Sequence, residues 1–237
     1  MRRIAIALVL VSAALGPMLP ARVAGAATGR MYILPVGLVP QSDLNAITGA
    51  LTAFFSVEVR QLPPVPLPRS AYYPPRQRYR ADKLLDYVEG LALPRDGRAV
   101  LAVTAAPISI TKGKIYDWGI MGFVAIGGKS CAYSTYYAKR FTKSAAHARA
   151  RVGKVAVHEF GHNLGLPHCS VRGCLMEDAQ GTPTMFDRVY DFCPRCRAAL
   201  ARRGWPAPAS QVIPWPRPAP NAGPSKAYLE KLRKRWE

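Results

Sequence analysis

Apolar residues in the first part of the chain change their spacing twice, and these changes predict a strand, a helix and a second strand. Residues 30–38, RMYILPVGL, form a nearly continuous apolar run, which is typical of a buried strand. From Leu44 to Phe54 the apolar residues recur at helical spacing behind Ser42, a residue type that caps helices. Residues 55–62, FSVEVRQL, alternate between apolar and polar as a strand does. A strand-helix-strand unit of this kind is expected to place its strands in parallel, joined by a right-handed crossover.

The next part of the chain predicts a loop, a helix and a third strand. Residues 63–80 contain six prolines, so we expect an ordered surface loop without regular structure. Residues 81–91, ADKLLDYVEGL, return to helical spacing. Residues 98–104, RAVLAVT, predict a buried strand.

Glycine-rich, β-prone sequence follows and predicts a hairpin. Its strands are expected over Gly122–Ile126 and Lys129–Thr135, with Gly127 and Gly128 forming the turn. A hairpin at the margin of a sheet can offer a free edge to which an extended peptide adds as a strand. An edge covered by a loop fits the sequence equally well. A long helix is then predicted from about Ser144 to about Gly165.

The amino-terminal end, residues 1–26, has the three parts of a secretory signal. Arg2 and Arg3 precede an apolar run, and the small residues Ala24-Gly25-Ala26 close it. The run is shorter than a bilayer requires, so we expect cleavage rather than a retained anchor. The sequence therefore predicts an exported protein of the periplasm, the cell envelope or the extracellular space.

The carboxy-terminal end, residues 201–237, is predicted to be a proline-rich basic tail. Seven prolines between positions 206 and 224 favour an extended spacer. The formal net charge of the chain is +19, but its basic residues are spread out, so we expect no specific nucleic-acid binding. The tail suits electrostatic contact with an anionic envelope. Residues 27–200 are long enough for one domain with a full core, which we expect to be monomeric.

The strongest chemical signal is HEFGHNLGLPH. His158 and His162 are four residues apart, so on a helix both imidazoles face the same side and can bind one zinc ion. Glu159 completes the H-E-x-x-H arrangement, in which the glutamate handles the proton of the attacking water. Gly165 can end the helix with a left-handed turn, which would bring His168 back to the metal. Three imidazoles leave a fourth position open, as in catalytic zinc sites.

Four cysteines indicate a second site. Cys169 and Cys174 follow the third histidine, and Cys193 and Cys196 form a C-x-x-C pair. Four thiolates can close around a structural zinc ion. Disulfides are the alternative in an oxidising compartment. In an extended segment His168 and its neighbour Cys169 point in opposite directions, so each would serve a different site.

The residues from His158 to Met176, HEFGHNLGLPHCSVRGCLM, together with CPRC at positions 193–196, resemble the signature of the archaemetzincins. Similarity continues upstream in MYILPVGLV, LPPVPLPRSAY and ADKLL, so the resemblance covers about residues 30 to 200. It implies an α/β (α+β) metzincin-like zincin fold. In that fold a twisted mixed sheet and an active-site helix lie above a small, zinc-clasped C-terminal subdomain.

The resemblance also implies a zinc metallopeptidase that acts on a peptide or protein substrate. In some members of the family the preference is for short peptides or their amino ends, so an aminopeptidase is one expectation. A methionine is implied beneath the zinc ligands; Met176 is the first candidate and Met185 the second. Zn²⁺ is the implied cofactor, with one catalytic and one structural ion. A weakly active or inactive binding protein and a zinc amidase on a non-protein substrate are the alternatives.

Several other residues have open roles. Tyr190 is a candidate to stabilise the developing oxyanion. His147 is expected to be a surface residue, and Cys131 a buried thiol in a strand. Four aspartates are candidates to hold a free substrate amine on sequence proximity alone: Asp117, Asp178, Asp187 and Asp191.

Overall fold

The computed structural model describes residues 29–55 and 57–205. The predicted signal peptide and residues 206–237 of the predicted tail lie outside the described residues. The described part contains these strands and α-helices, in chain order: β1 (Arg30–Pro35), α1 (Gln41–Phe55), β2 (Glu58–Gln61), β3 (Tyr72–Tyr73), β4 (Arg78–Arg80), α2 (Ala81–Glu89), β5 (Ala99–Thr104), β6 (Ile108–Lys112), β7 (Ile115–Ile120), β8 (Gly122–Val124), β9 (Ser130–Ser134), α3 (Thr135–Ala138), α4 (Ala145–Asn163) and α5 (Pro194–Arg202).

A five-stranded mixed sheet in the order β2-β1-β5-β9-β8 forms the centre of the molecule. Strand β1 pairs in parallel with both β2 and β5, which confirms the predicted parallel strands of the first strand-helix-strand unit. Helix α1 starts at Gln41, so Ser42 lies inside its first turn and is not the cap that the sequence predicts. Strand β9 is also parallel to β5, and β8 closes the sheet in the antiparallel direction.

Strands β8 and β9 form the predicted hairpin. Both are shorter than expected, and Gly127 turns the chain between them with a φ of +78°. Strand β8 lies at the edge of the five-stranded sheet. In the described part of the chain no other strand pairs with the outer side of β8.

A second sheet, in the order β3-β4-β6-β7, was not expected. The proline-rich segment is therefore not wholly irregular, because Tyr72–Tyr73 and Arg78–Arg80 form short strands between its prolines. Neither strand contains a proline, which would interrupt the ladder. Strands β6 and β7 add a hairpin that the glycine-rich sequence did not distinguish.

The central sheet has helices on both faces. Alternate residues of β1 and β5, such as Met31 and Leu101, face α1 and α4, while Tyr32 and Val100 face α2. Each buried aliphatic side chain of this kind contributes about 1.5–3 kcal/mol. The core on the α1 and α4 face continues into the residues after α4, and residues 151–163 of α4 are buried.

Helix α4 begins behind Ser144, whose side chain accepts a hydrogen bond from the backbone of His147, and ends at Asn163. Gly165 follows with a φ of +87°, and the chain then enters a small lower subdomain that ends with α5. The predicted mixed α/β fold with a C-terminal subdomain is confirmed. No α-helix in residues 29–55 and 57–205 has the length and apolar character needed to cross a bilayer.

The packed structure extends past the predicted domain boundary at residue 200. Trp205 packs edge-to-face against Phe160 of α4, with ring centroids 6.2 Å apart. Its ring also covers Gly29, where a Cβ would lie only 2.4 Å from the indole. The beginning and the end of the described chain therefore meet at one tryptophan.

Candidate active site and metal centres

Three histidines converge below the sheet edge. His158 and His162 lie one turn apart on α4, with their Nε2 atoms 3.1 Å from each other. The ring of His168, which follows the Gly165 turn, has its centroid 5.4 Å from that of His158 and 4.8 Å from that of His162. One nitrogen of each ring lies within 4.8 Å of the others.

The protein backbone orients two of these rings. Nδ1 of His158 donates to the carbonyl of Leu175 at 2.6 Å, and Nδ1 of His162 donates to the carbonyl of Leu166 at 2.7 Å. These bonds place the ring proton on Nδ1 and leave the Nε2 lone pairs facing each other. Burial, together with the neighbouring histidines, lowers the pKa of His158 to about 3. Burial lowers the pKa of His162 to about 4, so both rings are neutral at pH 7.

The arrangement fits a zinc ion. Two nitrogens bound to one tetrahedral zinc at about 2.0–2.1 Å lie about 3.3 Å apart. The separation between the two helical Nε2 atoms is close to this value. Neutral imidazoles are also the form that binds metals. His168 is half-exposed, so the histidine cluster is open to solvent on the side of this residue.

Glu159 is buried beside the histidines and lies directly under strand β8. A Cβ on Gly122 would be 2.1 Å from the carboxylate carbon of Glu159, so only glycine allows this approach. Burial raises the pKa of Glu159 to about 8. A cation held by the adjacent histidines would act in the opposite direction. Burial and a bound cation would therefore shift the pKa of this carboxyl group in opposite directions.

Met176 lies beneath the histidine-bearing helix. It is completely buried, and a Cβ on Gly161, between the two helical histidines, would lie 2.5 Å from its sulfur. Met185 is also buried but belongs to the 3-10 turn Pro183–Asp187. The neighbour of Met185 in this turn, Phe186, packs edge-to-face on His158, with ring centroids 5.5 Å apart.

The four cysteines form a separate cluster in the lower subdomain, with one sulfur of each within 4.8 Å of the others. The sulfurs of Cys169 and Cys193 are 3.7 Å apart. Two sulfurs on a tetrahedral zinc at about 2.3 Å lie about 3.8 Å apart, whereas disulfide sulfurs lie about 2.05 Å apart. The described cysteines contain no disulfide. The spacing therefore fits a metal ion better than a disulfide.

Hydrogen bonds to sulfur support the same interpretation. The sulfur of Cys174 accepts bonds from the backbone N–H groups of Met176 and Cys193. Burial alone would raise the pKa of Cys169, but the N–H of Val171 and the guanidinium of Arg195 bring it down to about 7. A thiolate at Cys169 is therefore available at neutral pH, as metal binding requires.

Adjacent residues at the start of the lower subdomain serve the two clusters separately. His168 is turned toward the other histidines, while Cys169 is buried with the other cysteines. The backbone N–H of Cys169 bonds to the carbonyl of Met176 at 2.7 Å, which fixes this segment against the residue under the helix. The two candidate metal centres are joined by one peptide bond.

Comparison with known proteins agrees with this geometry, because the model of peptidase family M54 matches residues 61–202. The chain belongs to peptidase family M54. This M54 member is 27% identical over 171 residues to the archaemetzincin of Archaeoglobus fulgidus, covering 72% of this chain and 98% of the relative. It is 25% identical to the archaemetzincin of Halobacterium salinarum, covering 72% and 99%.

Solved structures show the same relationship. The crystal structure of the Archaeoglobus fulgidus archaemetzincin complexed with malonate matches with a TM-score of 0.60 and 29% identity, covering 72% of this chain and 99% of the other. The Methanopyrus kandleri archaemetzincin matches with a TM-score of 0.62 and 24% identity, covering 78% and 98%. The expected archaemetzincin family and its zincin-like fold are confirmed. The M54 chain is a zinc metallopeptidase, as the sequence predicts.

Other residues that the sequence singled out lie in different places in this M54 fold. The hydroxyl of Tyr190 donates to the carbonyl of Asp187 at 2.7 Å, which directs its proton away from an oxyanion role. His147 is not an ordinary surface residue, because its Nε2 lies 2.7 Å from the carboxylate of Asp187. Cys131 is buried in β9 as expected, and burial raises the pKa of its thiol.

The four candidate aspartates have different partners in the structure. Asp178 lies near the histidines, with its carboxylate 3.9 Å from Nδ1 of His168. Asp117 pairs with Arg76 and Arg78. The remaining two, Asp187 and Asp191, pair with Arg151 and Arg197. Only the first of the four is placed to meet a group bound beside the metal.

Proposed function

We propose that this zinc metallopeptidase hydrolyses peptide bonds at a zinc ion held by His158, His162 and His168, with Glu159 as the proton-transfer group. The position of Glu159 carries the proposal. Its carboxylate is buried under the edge strand β8, and Glu159 lies on the same helix as His158 and His162, directly after the first of them. A group there can reach both the attacking water and the bond that breaks.

A zinc ion in this centre would supply Lewis acidity for the scissile carbonyl and for the attacking water. The residues of the chain transfer the proton and hold the carboxylate and the imidazoles in position. Glu159 takes the proton from the attacking water and returns it to the departing amine nitrogen. Gly122 holds the carboxylate in place from above, and the carbonyls of Leu175 and Leu166 hold the two helical imidazoles from behind.

The substrate is proposed to lie along strand β8 as an additional strand. An extended peptide binds a free sheet edge through main-chain hydrogen bonds. Strand β8 is an edge of the central sheet, and its first residue touches Glu159. A peptide added to this edge would pass directly over the proton-transfer group.

Aminopeptidase activity is the finer form of the proposal, with Asp178 as the group that holds the free amine. Half of its side chain is exposed, and its carboxylate is near His168. Asp178→Asn should raise KM for peptides with a free amino end and leave N-acetylated peptides unaffected. Asp191→Asn is the matched control, because Asp191 is paired with Arg197 away from the histidines. Equal effects on both kinds of peptide would contradict this assignment.

A second zinc ion is proposed at Cys169, Cys174, Cys193 and Cys196, with a structural role. The 3.7 Å sulfur separation supports it. Elemental analysis of the purified mature protein should find about two zinc per chain, because four thiolates can enclose one ion and three imidazoles can hold another. Thiol titration should find the four cysteines protected until a chelator is added. One zinc with the four cysteines oxidised would replace this proposal with disulfides.

Export is proposed on the sequence of residues 1–26. Fractionation of cells that produce the full chain, with mass measurement of the product, should find a form shortened near residue 26 outside the cytoplasm. A full-length cytoplasmic product would contradict the proposal.

Glu159→Gln tests the catalytic mechanism. The variant should lose peptide hydrolysis and retain zinc, because the amide cannot accept the proton but leaves the three imidazoles unchanged. Glu58→Gln, on the exposed strand β2, is the matched control. Hydrolysis at the wild-type rate by Glu159→Gln would refute the assignment. Peptide binding without hydrolysis by the zinc-loaded wild type would favour a binding protein, and cleavage of cell-wall amides alone would favour an amidase.

A further inference from the structure

The hairpin formed by β6 and β7 contacts the lower subdomain through Trp118. The indole of Trp118, on β7, lies against Gly181, where a Cβ would be 3.5 Å from Cζ2 and 3.6 Å from Nε1. These contacts join the second sheet to the loop that follows Asp178. We call this contact, between Trp118 and Gly181, the bridge.

Both sides of the bridge are held in place. The ammonium of Lys112 lies 4.8 Å from the centre of the Trp118 ring, and Ile110 is the cross-strand partner of Trp118. On the other side, Gly181 has a φ of +75°, and Gln180 before it also has a positive φ of 46°. The loop is closed by a bond from the N–H of Thr182 to the carbonyl of Ala179 at 2.7 Å. The bridge therefore connects two ordered segments.

The two segments that the bridge joins both lead to residues of the candidate active site. Gly122, which touches Glu159, comes four residues after Trp118 on the continuing chain. On the other side, Asp178, whose carboxylate is close to His168, comes three residues before Gly181. A peptide added to the edge strand β8 would pass Glu159 close to the point where β8 continues from β7, the strand that carries Trp118.

The geometry points to a cleft that is closed at one end: the bridge between Trp118 and Gly181 stops the substrate chain on one side of the scissile bond. The site then takes a chain end or a short peptide rather than the middle of a long chain. Trp118 is the specificity-determining residue, because its indole supplies the reach from the hairpin to the loop. This inference rests on the proposed peptidase function and gives that function a steric reason for its substrate class.

Zinc-binding probes test the bridge without requiring a known substrate. Acetohydroxamate is the small probe. A peptide with a hydroxamate at its carboxyl end and a peptide with a hydroxamate at its amino end extend from the metal in opposite directions. Binding of each to the cobalt-substituted protein is read from the visible cobalt spectrum, so the measurement is independent of turnover.

We expect acetohydroxamate to bind and one of the two peptide probes to bind at least about tenfold more weakly than the other, because the bridge excludes its chain. Trp118→Ala should restore the weaker probe to within about threefold of the stronger one. The identity of the peptide probe that binds more weakly tells whether the amino end or the carboxyl end of a substrate lies on the closed side of the cleft.

Two controls separate the bridge from general damage to the hairpin. Tyr116→Ala removes another aromatic residue of β7 that packs on Tyr73 rather than on Gly181, and it should leave the probe ratio unchanged. Trp118→Phe keeps an aromatic ring in the hairpin but shortens its reach, so it should relieve the exclusion partly even if the alanine variant is unstable.

Each remaining result has a definite meaning. Equal binding of both peptide probes by the wild type would overturn the bridge, as would a ratio that neither Trp118 variant changes. If acetohydroxamate itself does not bind, the histidine centre is not an open metal site, and the proposed function fails along with the inference.

Discussion

Gly122 is the residue that allows strand β8 to lie directly on the carboxylate of Glu159. A Cβ at this position would be 2.1 Å from the carboxylate carbon and 2.3 and 2.4 Å from the two oxygens. Gly122→Ala should therefore displace the carboxylate and leave the three histidines in place, because no histidine is among the nearest atoms.

The displacement can be worked out from these distances. An ordinary contact for a Cβ begins at about 3.4 Å, so the carboxylate carbon must retreat by about 1.3 Å. A misplacement of about 1 Å can cost about 10²-fold in rate, so we expect kcat to fall by about that factor. Stability should change by less than about 1 kcal/mol, since the atoms that move end a flexible side chain and Gly122 has no positive φ.

The assay combines kcat and KM on a peptide that the wild type cleaves with zinc content and thermal unfolding. Gly49→Ala is the matched control, because Gly49 lies in α1 and a Cβ there meets nothing within 4 Å. Activity of Gly122→Ala within about threefold of the wild type would refute the reasoning, since a displacement of this size is expected to cost far more in rate. Loss of zinc together with activity would also refute it, because the defect would then be in the ligands.

Three further changes test how the active-site helix is held. Gly161→Ala would bring a Cβ within 2.5 Å of the Met176 sulfur and should lower the free energy of unfolding by about 1–3 kcal/mol. Chemical denaturation measures this loss, and an unchanged denaturant midpoint would contradict the contact. Asp187→Ala leaves the completely buried Arg151 guanidinium without its carboxylate, so the free energy of unfolding should fall by about 3–5 kcal/mol, and a loss below about 1 kcal/mol would show that the backbone carbonyls suffice. Burial lowers the pKa of Lys154 from 10.5 to about 8. The charge of Arg151 lowers this pKa further, while the charge of Asp187 raises it. Between these values the unfolded chain binds the extra proton, so stability should rise with pH by up to about 1.4 kcal/mol per unit, and Lys154→Met should lose that rise. An identical pH slope in the Lys154 variant would contradict the shift.

The metal ligands could be predicted from the sequence because each set is close together along the chain. Two histidines four residues apart need only a helix to converge, and a glycine after them is enough to return the third. The C-x-x-C pair carries its geometry in its own spacing. For these residues the local backbone structure is almost enough to set the final positions of the side chains.

Residues that act through distant contacts could not be predicted in this way. Gly122 is 37 positions before Glu159, and nothing in its own segment indicates which side chain it meets. Phe186 on His158 and Arg151 on Asp187 depend equally on how the lower subdomain folds back. The contacts of Phe186 and Asp187 join the two subdomains, and the contact of Gly122 joins β8 to α4.

The second sheet was missed for a different reason. Strands β3 and β4 are two and three residues long, too short to show a period, and they lie among prolines that suggest a loop. Strand β6, ISITK, alternates between apolar and polar residues and could have been predicted from this pattern. The bridge has no signal in the sequence because Trp118 and Gly181 lie 63 positions apart.

Trp205, which follows α5, contacts Gly29, which precedes β1, and this contact has a topological consequence. Because Gly29 and Trp205 touch, the described domain is almost a closed circle. Chains whose ends lie together tolerate circular permutation. A short linker from residue 205 to residue 29, with new ends opened at the exposed turn between β6 and β7, should therefore preserve the order of strands around both metal centres. The two ends of the described domain therefore lie at one place, where Phe160 of α4 meets the indole of Trp205.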